Sequence, residues 1–378
     1  MRLRFEMMKR LGAATLLAAL LSACSSGPDK PKPTPLEMPA PAVVRLQPLW
    51  NQRIGDVRMP LRPAVSAEVV TLASSDGTVV AMQLESGREL WRAQLSTPLS
   101  VGVGSDGRFA AVVTRGNELV VLEAGKVLWR QPLKTRVYTA PLVAGERVFV
   151  YAADRSVLAF DAATGGRLWT QQRPGDPLML SQPGVLLAVR DTLVVGQGPR
   201  LAGLDPLRGT VRWEVPIATP RGTNEVERLA DLVGPAGRSA DVVCARAFQS
   251  AVGCADALGG QLLWSKTSSG AVGVATDGRQ AYGVDGTDRV TAYTQGNGDV
   301  VWTSERLRFR GLTAPVVSGR SVIVGDAEGY VHLLAVGDGV LQGRVATDGS
   351  AIVGGPVVAG STVLVVSRNG GVFAFRAP

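Results

Sequence analysis

FDAATGGRLW, residues 160–169, is a Gly turn running into a lone Trp, and versions of it recur along the whole chain. All seven Trp end such a phrase: LQPLW (Trp50), SGRELW (Trp91), AGKVLW (Trp129), TGGRLW (Trp169), RGTVRW (Trp213), GGQLLW (Trp264) and GNGDVVW (Trp302). An eighth phrase, DGVLQG, puts Gly343 where the next Trp is due. A repeat of about 40 residues is the length of one four-stranded propeller blade, and such a period outranks other readings of the fold.

Within one unit the pattern is β throughout. Val69–Ala73 reaches the turn Ser74-Ser75-Asp76-Gly77, Thr78–Met82 returns to Glu85-Ser86-Gly87, and Leu90-Trp91 follows. Short β-branched runs bounded by Asp-Gly or Ser-Gly read as hairpins, because Gly supplies the positive φ of a tight turn. After Gly343 one partial unit, PVVAGSTVLVVSRNGGVFAF, ends without its Trp strand, and Arg45 to Trp50 supplies that strand at the other end of the chain. Pairing them removes an open sheet edge. The predicted fold is therefore all-β: an eight-bladed β-propeller of four-stranded antiparallel blades over residues 45–378, closed by an N-terminal strand joining the last blade.

Residues 1–23 read as a signal peptide, with basic Arg2, Arg4, Lys9 and Arg10 before an apolar Leu11 to Leu21 that is short for a membrane span. LSAC (21–24) resembles the bacterial lipobox, which implies lipidation of Cys24; Ser25 and Ser26 behind it imply sorting to the outer membrane. Residues 24–44 contain GPDKPKPTPLEMPAPA, a Pro-rich tether expected to be extended and to hold the ring off the bilayer. Removing the signal lowers the formal charge of +8 by three. Export and the lack of a basic run interleaved with aromatics exclude nucleic acid as the expected partner.

Cys244 and Cys254 align with Thr71 and Ala81, facing positions on neighbouring strands, and an exported chain meets an oxidising environment. They are predicted to be bonded, with two buried thiols as the alternative. Catalytic signatures are missing: the single His, His332, sits among apolar neighbours in a strand, and no CxxC, HExxH, GxSxG or GxxxxGK[ST] phrase occurs. Asp76, Asp154, Asp285 and Asp326 each sit at a hairpin turn, where Asp caps its own backbone. No catalytic residue, cofactor or metal site is expected.

Two insertions interrupt the repeat: QQRPGDPLMLSQPG (171–184) after Trp169 and EVPIATPRGTNEVERLADLVGPAGRSAD (214–241) after Trp213. Both join a Trp strand to the next blade, so they emerge on one side of the ring and form one patch. Leu178, Met179 and Leu180 bring apolar surface, and Glu225, Glu227, Arg228 and Asp231 bring charge. An apolar centre with a polar border suits a protein docking site; the alternative is that PLML folds under to cover the blade core.

The phrase AADRSVLAFDAATGGRLW (152–169) resembles the repeat of quinoprotein propellers, but the chain lacks the adjacent Cys pair of the quinone dehydrogenases. The lipobox, the eight units, GTNEVERLADL (222–232) and VGDAEGYVHLL (324–334) together resemble the BamB family of the β-barrel assembly machinery. That resemblance implies a non-enzymatic accessory at the periplasmic face of the outer membrane, docked on the POTRA repeats of the central barrel subunit and assisting nascent outer-membrane proteins. It carries docking roles onto Leu178, Leu180 and Asp231, with Arg228 close by; the family's arginine falls on Ser181 and its second aspartate on Val233. A quinone-dependent dehydrogenase-like propeller and a carbohydrate-binding envelope protein are the competing readings.

Overall fold

The computed structural model describes residues 31–37, 44–173, 179–220, 223–224 and 228–377. Thirty-two strands form eight four-stranded antiparallel sheets, and no helix occurs among the described residues. Blades one to seven span 64–94, 104–132, 142–171, 186–216, 232–267, 274–304 and 316–346. Blade eight consists of Ile352–Ala359, Thr362–Ser367 and Gly371–Arg376, with Gln47–Arg53 as its outermost strand. The ring therefore closes through the N-terminal strand, as the repeat count requires, with Trp50 facing Ala374 across the seam.

First strands of neighbouring blades touch and line the centre of the ring, whereas the Trp strands form the rim. The cores between blades are built from Val, Leu and Ala that are almost wholly excluded from solvent, for example Val79, Val80, Val112, Val120 and Val194. Side chains of each sheet alternate between the two inter-blade layers, which is how period 2 serves a sheet buried on both faces.

Each indole leaves its own blade and lies on a Gly in the last hairpin turn of the next. Gly165 has φ +73°, and a Cβ built there would meet Trp129 Cδ2 at 2.6 Å; Gly209 stands in the same relation to Trp169, and Gly298 to Trp264. Gly is needed twice over, for the positive φ and for the close approach of the ring. The indole N–H then donates to a carbonyl of that turn: Trp129 to Ala162 (2.8 Å), Trp169 to Pro206 (3.0 Å), Trp264 to Gln295 (2.6 Å), Trp302 to Val336 (2.7 Å) and Trp50 to Leu84 (2.9 Å).

Gly343 holds the Trp register in blade seven, opposite Leu333. The next blade is the closing one, where two chain termini replace the last hairpin turn, so no Gly awaits an indole. The N-terminal segment fills the place: a Cβ on Gly343 would lie 2.2 Å from the Val44 carbonyl oxygen, and Val44 and Leu46 pack with Leu333, Val345 and Phe375.

The residue before each Trp is an extra one. Trp169 faces Ala159 and Arg167 faces Phe160, so Leu168 has no partner and is pushed outward, 46% exposed. Such a β-bulge recurs at the outer strand of all eight blades.

Trp213 departs from the set. It faces Gly203 where other blades place larger residues, and its buried Nε1 has no acceptor. Trp129→Phe is therefore expected to lower stability by roughly 1 kcal/mol more than Trp213→Phe, because only the first breaks an indole hydrogen bond. Urea denaturation of the two variants measures the difference.

Candidate docking face

Strand directions alternate within a blade, so the connector to the next blade and the turn between second and third strands leave the ring on one face. Backbone contacts tie these loops together: Ser75 N–H donates to Asp56 O, Arg115 to Pro98 O and Ala153 to Arg136 O. The other turns, two in each of blades one to seven and one in blade eight, lie on the far face. Both repeat-breaking insertions thus belong to the connector face, at the junctions of blades three, four and five.

Asp231 organises this region from below the surface. It is 5% exposed; its Oδ2 accepts the Leu180 N–H at 2.9 Å, and its Oδ1 pairs with Arg155 Nη2 at 3.2 Å. Its carbonyl oxygen accepts the Phe248 N–H. One carboxylate therefore joins the first insertion, the second insertion and the blade-three turn. The family resemblance gives Asp231 a docking role; in the structure its carboxylate is enclosed and holds Leu180 in place. Val233 is likewise buried, bridging Gly184, while Pro183 O accepts the Gly234 N–H.

Met179 turns inward against the core between blades three and four, beside Phe149, Tyr151 and Leu193. PLML is thus divided: Met179 covers the core, Leu180 is half-buried at the surface, and Leu178 lies outside the described residues. Arg228 is exposed, with its N–H donating to Asn224 O, and Ser181 is exposed as well. Leu229, the residue after Arg228, lines a cleft of about 720 Å³ between blades four and five whose walls mix apolar Ile217, Pro220 and Phe248 with polar Thr219, Gln249 and Ser250. Cys24, Glu225 and Glu227 also fall outside the described residues.

Cys244 and Cys254 are direct cross-strand partners in blade five, with Cα atoms 4.0 Å apart and sulfurs bonded, and both are fully buried next to Trp264.

The turn aspartates close their own turns: Asp76 accepts Thr78 N–H, Asp154 accepts Ser156 N–H and Asp285 accepts Thr287 N–H. Asp326 does more. It accepts the Glu328 and Tyr330 N–H groups, pairs with Arg310 Nε at 2.9 Å, and meets His332 Nε2 at 2.9 Å, with carboxylate and imidazole both enclosed. Burial pushes the Asp326 carboxyl up, but the bonds from His332 and Tyr330 outweigh it and leave the group below the usual carboxylate range. Burial also pushes His332 down, against the pull of Asp326, so the imidazole is neutral and donates through Nε2.

Structural relatives define the class first. A quinohemoprotein alcohol dehydrogenase, ADHIIG from Pseudomonas putida HK5, superposes with a TM-score of 0.66 over 88% of this chain and 76% of its own, at 13% identity. BamB from Moraxella catarrhalis superposes at 0.79 over 88% of this chain and 100% of its own, at 23% identity. In fold the protein is a quinoprotein-like propeller. A family model described as outer membrane protein assembly factor BamB matches residues 75–304 and 285–378. Relatives of that description are 35% identical in Burkholderia pseudomallei, covering 98% of this chain and 99% of theirs, and 36% in Bordetella pertussis, covering 97% of each. The chain belongs to the BamB family.

The buried pair sets a pH dependence. The unfolded His protonates near pH 6.5 while folded His332 stays neutral below that, so the unfolded state binds the extra proton. Stability is complete above about pH 6.5 and declines as pH falls, by at most about 1.4 kcal/mol per pH unit from this residue. His332→Gln is expected to flatten that decline in denaturation curves taken between pH 7 and 5.

Proposed function

We propose that the protein is a lipid-anchored, non-enzymatic scaffold at the periplasmic face of the outer membrane, attached through Cys24. It docks its connector face on the POTRA repeats of the central barrel subunit and assists insertion of outer-membrane proteins. Membership of a family named for outer membrane protein assembly supports the setting. The observation that carries the docking reading is the joining of the two insertions by Asp231, which holds half-buried Leu180 and lies three residues after exposed Arg228. A leucine bordered by an arginine on braced loops is in keeping with a docking surface of apolar centre and polar rim.

In this reading Leu178, Leu180 and Arg228 touch the partner and Asp231 is a positioning residue. Leu180→Glu should lower co-purification of the barrel subunit from detergent-solubilised outer membranes at least tenfold, with the ring's melting temperature unchanged. Asp231→Asn keeps the shape but loses the carboxylate that holds both Leu180 and Arg155; it should weaken capture several-fold and also reduce stability, since an enclosed ion pair and a charge-assisted hydrogen bond are lost. Undiminished capture by both variants would remove this face as the docking site. Thiol titration of the unfolded, unreduced protein should find neither Cys244 nor Cys254 free.

A further inference from the structure

The Pro-rich segment is not a free spacer where it is described. Thr34 lies on the connector joining blades six and seven: its N–H donates to Arg308 O at 3.0 Å, and Arg310 Nη1 donates to Thr34 O at 3.1 Å. Both main-chain groups of one residue are therefore engaged by the ring. Glu37 follows, with its carboxylate 2.8 Å from Arg306 and its carbonyl oxygen receiving Arg344 Nη1. Val44 N–H then donates to Gln342 O on the outer strand of blade seven, and the closing strand begins at Gln47.

The receiving arginine is preset. Arg310 is 4% exposed; Nε is held by Asp326, which in turn holds His332, and Nη2 by Glu328. Only Nη1 is directed at the segment. The peptide is preset as well: Thr34 sits between Pro33 and Pro35, and of the three it alone has an N–H to give to Arg308. Flanking prolines keep it extended before it binds, which lowers the entropy lost on docking.

We propose that residues 32–37 are a strap that fixes where the anchored N-terminus leaves the ring, and hence which face of the ring is turned to the bilayer. The exit is on the connector face, the one that carries Leu180 and Arg228, two to three blades further round. Ten peptide units separate Cys24 from Thr34 and span at most about 35 Å. Lipid surface and protein partner are thus both served by one face, and the far face, with the hairpin turns that receive the indoles, is turned to the periplasm. The orientation rests on the reading of Cys24 as lipidated; the docking of the strap does not.

Two labels at opposite ends of one strand of blade eight test this in the lipidated full chain bound to vesicles containing headgroup acceptor dye. Asn369→Cys places the donor on the connector face and Ser361→Cys on the far face, both at exposed turns. Energy transfer is expected to be stronger from position 369, and Thr34→Pro, which removes the N–H given to Arg308 without altering the ring, is expected to erase the difference. Equal or reversed transfer in the unmodified strap, or a difference that survives Thr34→Pro, overturns the proposal. Should the protein fail to sediment with vesicles, the anchor reading fails and the strap is decided by amide exchange at Thr34. Slow exchange upholds docking, and exchange at the free-peptide rate overturns it.

Discussion

Everything in this ring hangs on an indole lying flat against a glycine of the neighbouring blade. A four-stranded sheet buries its faces only if another sheet stands against each, and at the rim the sheets diverge because they radiate from a common centre. A large planar side chain fills the widening gap, and its N–H finds an otherwise unused turn carbonyl. The receiving turn must bring its backbone to contact distance at positive φ, which selects Gly at positions such as 165 and 209. Wedge and receptor are thus one constraint split between adjacent repeats, and FDAATGGRLW contains the receptor for Trp129 together with the wedge sent to Gly209.

The exception follows from the same constraint. Closing a ring with strands from both ends of the chain removes one hairpin turn, so one wedge has nothing to land on. Gly343 is where the repeat abandons the indole, and the incoming N-terminal segment takes the vacated space. Closure and the course of the N-terminal segment are therefore linked, since the residues that replace the missing indole follow in the chain those held by Arg306, Arg308 and Arg310.

The blades, their count and the closing strand were legible in the sequence because each is set by contacts that repeat, and repetition survives as a period. The facing of Cys244 and Cys254 is legible for the same reason, since Thr71 and Ala81 face each other in an equivalent hairpin. What repeats nowhere could not be read. Asp231 bonds Leu180 across 51 residues and Arg155 across 76, so its burial depends on two other loops whose paths no local pattern encodes. Arg310 reaches Thr34 across 276 residues, and a Pro-rich stretch looks the same whether it hangs free or lies in a groove. The aspartate at 326 was readable as a turn residue, but its partnership with His332 and Arg310 was not, because turn capping and ion pairing use the same side chain.

The bulge at every outer strand has a meaning for crowding. An outermost strand carries unpaired N–H and C=O groups, and copies of one ring that meet rim to rim bring such edges together. A straight edge would let one ring's rim zip to the next and grow into sheets. The extra residue before each Trp breaks the run of equally spaced donors and acceptors and twists the strand away, so the rim offers no continuous template. Solitude among neighbours is thereby written into the rim itself, residue by residue, at Leu90, Leu128, Leu168 and Leu263.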